Sequence, residues 1–207
     1  MIRLLLALLA AYLVGSIPTG LWLGRLVAGV DVRQVGSRRT GATNVQRSLG
    51  TRLGIAVLVL DCLKGAVAVT VVRVVTGDDY VAALAGVAAV VGHVWPVLAD
   101  FRGGRGVATA GGAMLALGPF SLATTFLVLA TLVLVTRYVS LGSVVAGLTG
   151  VIWAVVLRHA PGGTDASIVV AALGGWLVVF KHADNINRLL HGRERRLGAS
   201  GEAPGAP

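Results

Sequence analysis

The stretch FRGGRGVATAGGAMLALGPFSLATTFLVLATLVLVTR, Phe101–Arg137, decides how this chain can be arranged. It opens on a glycine-rich loop with two arginines and continues into a long apolar run, which Gly118-Pro119 interrupts. As one helix, this run would cross a bilayer once. If the Gly-Pro pair ends the first helix, two shorter helices run in opposite directions. The choice sets the side of the membrane on which every later segment lies.

The composition indicates an all-α integral membrane protein. The chain has 207 residues, of which 56% are hydrophobic and only 13% are charged, whereas soluble domains carry about 25% charged residues. A net charge of +9 would suggest nucleic acid as a partner for a soluble protein. Here the basic residues lie in short loops between apolar runs, so we expect membrane lipid and anionic substrates as partners, and no nucleic acid.

Hydropathy divides the chain into apolar segments, several of them short for the ~20 residues that a bilayer core requires. The seven candidates are 4–28, 54–75, 81–98, 107–118, 120–136, 143–158 and 166–181. We expect residues 1–198 to form a single domain. The Pro/Gly-rich end, residues 199–207, is predicted to be disordered.

The distribution of basic residues favours seven membrane segments over six. With seven, loops 31–53, 99–106 and 137–142 share one side with the tail from residue 181, and together they carry 13 of the 18 basic residues. These are Arg33, Arg38, Arg39, Arg47, Arg52, Arg102, Arg105, Arg137, Lys181, Arg188, Arg193, Arg195 and Arg196. The positive-inside rule then predicts that this side is cytoplasmic and the N-terminus is outside. A single helix over 107–136 would remove the bias.

Two loops combine glycines with arginines and hydroxyl side chains. The first loop is Gly36–Arg47, GSRRTGATNVQR, and the second loop is Phe101–Thr109, FRGGRGVAT. Glycines allow backbone N–H groups to approach an anion closely, and arginines add charge and forked donors. A helix that begins near Val107 would also direct its free N–H groups at the second loop. The pair predicts a phosphate site at the membrane surface.

Simpler interpretations of both loops remain open. The first loop could be a surface connection whose arginines follow membrane topology and contact lipid head groups. The glycines of the second loop could serve close helix packing. His93, Asp61 and Lys64 lie within apolar segments, and we expect them to support the structure rather than contact substrate. Cys62 is expected to be an inert thiol, and no Cys/His cluster has metal-ligand spacing.

The tail and the loop before it add polar residues on the same side. His182 and Asn185 share a helix face that continues to Arg188, although a solvated amphipathic tail would show the same pattern. The loop 137–143 offers one charge and three hydroxyls, which alone is weak evidence.

Taken together, these motifs resemble a known family, the bacterial acyl-phosphate-dependent glycerol-3-phosphate acyltransferases of the PlsY type. They occur in family order from about residue 15 to residue 198. The matching stretches are Gly15–Gly20, Val35–Ser37, Gly41–Val45, Arg47, Asp61–Gly65, Gly92-His93, Gly103–Thr109, Arg137–Leu141, His182–Ile186 and Arg188-Leu189.

The resemblance implies a seven-helix enzyme of the bacterial plasma membrane whose active site faces the cytoplasm. The family moves a fatty acyl group from acyl phosphate to the sn-1 hydroxyl of glycerol 3-phosphate, which gives lysophosphatidic acid and phosphate. It uses no cofactor and no metal. We predict a mechanism of positioning and charge stabilisation rather than a nucleophilic residue.

The resemblance and the loop chemistry together give a set of candidate site residues. As catalytic residues we predict Ser37, Arg47, Arg105, His182 and Asn185. As substrate-binding residues we predict Gly36, Thr43, Asn44, Gly103, Gly104, Gly106, Ser143 and Arg188.

The chain departs from the family at three positions. Arg38 and Arg39 stand where the family usually has Gly and Asn, and Arg105 stands in place of a lysine. Each change keeps or adds positive charge, but arginine is a planar fork rather than a point charge. Two other functions are therefore weighed against the enzyme: a small transporter of an anionic metabolite, and a non-catalytic paralogue that binds anionic lipid.

Overall fold

The computed structural model describes residues 1–198, which form helices and no strand. The all-α fold class is thus confirmed, and residues 199–207, predicted to be disordered, lie outside the described part. The helices are α1 Ile2–Gly15, α2 Thr19–Ala28, α3 Ala42–Leu49, α4 Thr51–Thr76, α5 Asp79–Val94, α6 Val107–Leu117, α7 Pro119–Thr136, α8 Val139–Val156, α9 Ser167–Val169, α10 Gly175–Lys181 and α11 Ala183–Leu190. A 3₁₀ turn, Val97–Ala99, follows α5, and a π turn, Val170–Gly174, joins α9 to α10.

By length and apolarity, five stretches of the described chain qualify as membrane spans, and a bent pair brings the number to six. The five are Ile2–Ala28, Thr51–Thr76, Asp79–Ala99, Pro119–Thr136 and Val139–Val156. The bent pair is Ser167–Lys181 with Ala183–Leu190, at an angle of 58°. Helix α6 is too short to qualify as a span. Its 11 residues reach only about 16 Å, roughly half of a ~30 Å hydrocarbon core. The count of seven therefore stays a prediction.

The helix bundle exposes large apolar side chains on its outer surface and has small residues where its helices meet. Four alanines of α5 are completely buried, while Val74, Leu134 and Val135 are each about four-fifths exposed. Helices α4 and α6 touch through their backbones, since a Cβ at Gly65 would overlap the carbonyl of Thr109. Small residues at contacts and large apolar residues facing outward are typical of helices packed within lipid.

The predicted segment 4–28 is two helices rather than one. The break falls between Gly15 and Thr19, where Pro18 lacks the N–H that a continuous helix would use. The carbonyl of Ile17, which accepts from Thr19 N–H at 3.0 Å within the break, also accepts a hydrogen bond of 3.1 Å from Lys64 Nζ. The break thus supplies a partner for a charge in the middle of α4.

The charges within the apolar segments are paired, as expected of supporting residues. Lys64 Nζ lies 2.9 Å from Asp61 Oδ1, and Thr19 Oγ1 donates to the same oxygen at 2.6 Å. His93 Nδ1 lies 3.5 Å from this carboxylate. Asp61 and Lys64 therefore each have polar partners among the described residues, which offsets the cost of placing a charge in an apolar segment.

Gly118-Pro119 ends one helix and begins the next. Helix α6 stops at Leu117 and α7 starts at Pro119, which suits a first helical position because proline has no N–H to leave unpaired. The carbonyl of Arg137, just after α7, accepts a 2.7 Å hydrogen bond from Leu197 N–H. Arg195, two residues earlier, lines one cavity with Arg105, which precedes α6. The start of α6 and the end of α7 therefore lie at the same end of the bundle.

Candidate active site

The first loop is shaped by one buried side chain, Asn44, from the first turn of α3. Its Oδ1 accepts a hydrogen bond from Ser37 N–H at 2.8 Å. Its Nδ2 donates to the carbonyls of Val32 at 2.9 Å, Val35 at 3.2 Å and Arg39 at 2.8 Å. Asn44, predicted to bind substrate, thus has its amide directed at the backbone of the loop, where it fixes the path of residues 32–39.

We expect Asn44→Ala to lower the stability of the protein, because three carbonyls and one N–H would lose a common partner. Buried groups left without a hydrogen bond cost about 1–3 kcal/mol each, so a loss of about 3 kcal/mol, or roughly 6–10 °C in Tm, is expected. Thermal unfolding in detergent measures it. Gln34→Ala, an exposed change in the same loop, is the control. An unchanged Tm for Asn44→Ala would show that the amide does not hold the loop.

The second loop is held against α5 by glycines. The N–H of Gly104 donates to the carbonyl of His93 at 3.2 Å, and a Cβ at Gly104 would overlap the His93 ring. Gly106 has a φ of 83° and is the N-cap of α6, a backbone conformation that glycine adopts readily. Arg105 is thereby placed directly before the first turn of α6, whose N–H groups have no intrahelical partners.

The helix of the tail ends well before residue 198, although the basic residues 181–198 are together predicted to be helical from their sequence. Helix α11 ends at Leu190, and Gly192, with a φ of 66°, turns the chain. The N–H groups of Gly192 and Arg193 donate back to Leu189 and Arg188 at 3.1 and 2.8 Å, a pattern typical of glycine-terminated helices. The following residues return along α11 and bring Glu194 towards the two loops.

The two loops, α11 and the returning tail enclose a polar cavity of about 230 Å³. Its lining contains six arginines and two carboxylates, so the cavity carries a strong positive potential that suits anionic ligands. The lining residues are Gly36, Ser37, Arg38, Arg39, Arg47, Arg105, Asp184, Asn185, Arg188, Glu194 and Arg195.

The structure brings six of the predicted site residues to this cavity and leaves seven off its lining. Those at the cavity are Gly36, Ser37, Arg47, Arg105, Asn185 and Arg188. Those that do not line it are Thr43, Asn44, Gly103, Gly104, Gly106, Ser143 and His182. Several of the second group instead hold the elements that carry the first, as Asn44 and Gly104 do.

Among the charged groups that line the cavity, Arg105 is the one with a buried polar atom that lacks a partner: its Nε has no hydrogen bond within residues 1–198. The side chain as a whole is half-buried. Burial, with a smaller contribution from nearby Arg39, lowers the pKa of Arg105 to about 10, so the guanidinium stays charged at neutral pH. A buried cation without a partner is costly unless an anion joins it. Arg105 is therefore arranged for an anionic ligand.

Other arginines of the cavity already have contacts in the protein. Arg39 Nη2 lies 3.4 Å from Asp184 Oδ2, a pair that links the first loop to α11. Arg47 Nη2 donates to the carbonyl of Arg195 at 3.3 Å, which links α3 to the returning tail. These contacts join the separate segments around the cavity and leave part of the positive charge for a ligand.

Glu194 is a functional candidate that sequence reasoning missed. Its side chain is only 5% exposed and accepts hydrogen bonds from Ser140 Oγ at 2.8 Å, Asn185 Nδ2 at 2.6 Å and Arg188 Nε at 2.8 Å. The one available signal was a single acidic residue within the basic run Arg193–Arg196. Taken as a solvated tail, that run gave no reason to expect a buried carboxylate.

The carboxylate of Glu194 also sets the orientation of Asn185. A carboxylate only accepts hydrogen bonds, so the amide nitrogen of Asn185 must face it. The amide oxygen then remains: Asn185 Oδ1 is buried and has no partner within residues 1–198. Because Asn185 lines the cavity, this unused acceptor is a candidate partner for a hydroxyl group of a ligand.

Two predicted residues, His182 and Ser143, each have one polar atom engaged with neighbouring backbone. His182 lies between α10 and α11, and its Nδ1 is 2.7 Å from the carbonyl of Val178, which requires the proton on Nδ1. Burial lowers the pKa of His182 to about 4, so the ring is neutral at pH 7. Ser143 Oγ donates to Val139 O at 2.9 Å. Within residues 1–198, no group of three or more His, Cys, Asp or Glu side chains is placed to hold a metal ion.

Comparison with known proteins identifies the family. The family model for glycerol-3-phosphate acyltransferase matches residues 5–192. The glycerol-3-phosphate acyltransferase of Geobacter sulfurreducens is 42% identical over 199 residues, which cover 96% of this chain and 100% of the relative. That of Syntrophotalea carbinolica is 45% identical over 194 residues, which cover 93% and 96%.

Solved structures agree in both fold and sequence. A crystal structure of PlsY (YgiH), an integral membrane glycerol 3-phosphate acyltransferase, in its glycerol 3-phosphate form, superposes with a TM-score of 0.86 at 41% identity. The lysophosphatidic acid form gives 0.85 at 40%. Both comparisons cover 95% of this chain and 96% of the other. This chain therefore belongs to the family of PlsY-type integral membrane glycerol-3-phosphate acyltransferases.

Proposed function

We propose that this protein transfers a fatty acyl group from acyl phosphate to the sn-1 hydroxyl of glycerol 3-phosphate. The products are lysophosphatidic acid and inorganic phosphate. Both substrates carry a phosphate, and the cavity is correspondingly rich in arginine. The single observation that carries the proposal is the half-buried side chain of Arg105, whose buried Nε has no partner among the described residues and which lies in one cavity with Ser37 and Asn185.

The proposed reaction needs positioning more than a strong nucleophile. The hydroxyl oxygen of glycerol 3-phosphate attacks the carbonyl carbon of the acyl phosphate, and the bond from that carbon to the phosphate oxygen breaks. Negative charge develops on the carbonyl oxygen and on the leaving phosphate, where Arg105 and the free N–H groups of α6 would stabilise it. The acyl phosphate already has a good leaving group, so preorganised charge supplies the main effect.

The proton of the attacking hydroxyl is proposed to pass to a phosphate oxygen. A phosphate monoester has a second pKa near ~6, above the pKa of about 4 at His182. The phosphate is therefore the stronger base, and the Nδ1 proton of His182 is engaged with Val178 O. In this mechanism His182 fixes the start of α11, while Asn185 Oδ1 orients the hydroxyl.

We further propose that the chain forms seven membrane segments in a bacterial plasma membrane, with its N-terminus outside and its cavity facing the cytoplasm. The segments that carry most basic residues meet at one end of the bundle: both loops and the tail line the cavity, and Ser140, within residues 137–142, bonds to Glu194. A cytoplasmic position for this end agrees with the positive-inside rule. The opposite directions of α6 and α7 support the odd number of segments.

One assay tests the chemistry directly. The purified protein, supplied with palmitoyl phosphate and radiolabelled glycerol 3-phosphate, is expected to form labelled lysophosphatidic acid and release one phosphate per lipid. Thin-layer chromatography and phosphate release measure the two products. If folded protein formed no labelled lysolipid from palmitoyl phosphate, the proposed donor would be wrong.

A further inference from the structure

We infer that Arg38 is a substrate-binding residue, which contacts the phosphate of a substrate at the mouth of the cavity. The inference rests on the proposed function and extends it to a residue that the sequence interpretation treated only as a departure. Arg38 is exposed, lines the cavity, and its guanidinium has no ion pair or hydrogen bond within residues 1–198.

The backbone around Arg38 is in a conformation that suits glycine or asparagine. Its φ is 56°, in the left-handed region that arginine adopts only at a conformational cost. The loop imposes this angle from both sides, because Asn44 holds the N–H of Ser37 and the carbonyl of Arg39. Arg38 cannot relax without breaking these bonds, so loop geometry does not account for an arginine at this position.

Arg38 adds to the cavity lining a cation that has no carboxylate partner among the described residues. Its neighbour Arg39 is paired with Asp184, and Arg188 is paired with Glu194. Arg38 has no such carboxylate, and a forked guanidinium is well suited to a phosphate. Either substrate could supply that phosphate, so the test follows both.

The test measures KM for each substrate while the other is saturating, in Arg38→Gly, Arg38→Asn and Arg38→Lys. Loss of the charged contact is expected to raise one of the two KM values about 5–10-fold in the Gly and Asn variants, with kcat within about twofold. The substrate whose KM rises is the one that Arg38 contacts. Arg38→Lys, which keeps the charge, is expected to stay within about twofold of wild type.

Arg137 offers a matched control, because it also has a left-handed φ, 62°, but does not line the cavity. Arg38→Gly and Arg137→Gly should both raise Tm by about 2 °C, as a strained arginine is replaced by glycine. Only Arg38→Gly should change KM. The inference would be overturned if Arg38→Gly and Arg38→Asn both showed the wild-type KM for each of the two substrates.

A failure of the proposed function would look different. Wild-type protein would then form no lysolipid, and Arg38 would be tested by calorimetric titration of glycerol 3-phosphate into wild type and Arg38→Asn. The same titration is made with palmitoyl phosphate. Weaker binding of either ligand to the variant would support the contact, and equal binding of both ligands would refute it.

Discussion

Arg105→Ala is expected to lower the rate of acyl transfer by about 10²–10³-fold, the effect of removing a preorganised donor from a site of developing charge. The guanidinium is held before α6, its Nε is buried without a partner in the described chain, and it remains charged because its pKa is about 10. In the alanine variant, the free N–H groups at the start of α6 would be the main groups left near the second loop to stabilise the developing negative charge. Initial rates with palmitoyl phosphate measure the loss.

Two variants make that result specific to the site. Arg105→Lys keeps a charge but loses the fork, and we expect it to retain part of the activity. Arg52→Ala removes an exposed arginine at the start of α4 that does not line the cavity, and it should leave the rate unchanged. Near-wild-type rates in Arg105→Ala would remove Arg105 from the mechanism. Since Arg105→Ala deletes a buried, unpaired charge, it should not destabilise the fold, which thermal unfolding checks.

Glu194→Ala is the second change with a large expected effect: a fall in kcat/KM of about 10²-fold. Asn185 Nδ2 and Arg188 Nε would lose their acceptor, at about 1–3 kcal/mol each. The amide of Asn185 would then be free to turn away from the orientation in which Oδ1 serves the cavity. Initial rates over a range of glycerol 3-phosphate concentrations, with thermal unfolding of the same samples, measure both effects.

Glu194→Gln separates orientation from charge. Glutamine keeps the length and one acceptor oxygen, so an intermediate loss of about tenfold is expected. If Glu194→Ala were faster than wild type, the carboxylate would be an obstacle to anionic substrate rather than a support for Asn185. That result would contradict the role assigned to it here.

Much of the architecture could be predicted from hydropathy and charge. Apolar segments must bury their backbone polar groups in helices, so an all-α membrane fold follows from composition. Gly118-Pro119 predicted the end of α6 because proline cannot continue a helix through an unbroken hydrogen-bond ladder. The break before Thr19 was not predicted, although Pro18 was visible, because the surrounding run is long and apolar enough to hide it.

The arrangement of the site was predicted in part. Ser37, Arg47, Arg105 and Asn185 were expected around one pocket, and the structure places all four on one cavity; their individual roles stay predictions. Asn44 could not be distinguished from a substrate ligand by sequence, because an amide that bonds a loop and one that bonds a phosphate look alike. The role of His182 stays a prediction, because its bond from Nδ1 to Val178 O holds the ring but leaves the lone pair of Nε2 unused.

The sequence by itself determined that this chain resides in a membrane, and it predicted that most of its basic residues share one side, because hydropathy and charge act residue by residue and need no partner. Only the tertiary structure decided which of those arginines are engaged and which are free. Glu194 pairs with Arg188, Asp184 pairs with Arg39, and the buried Nε of Arg105 is left without a partner in the described chain. Such pairing depends on the distance between segments far apart in sequence, which local pattern does not contain.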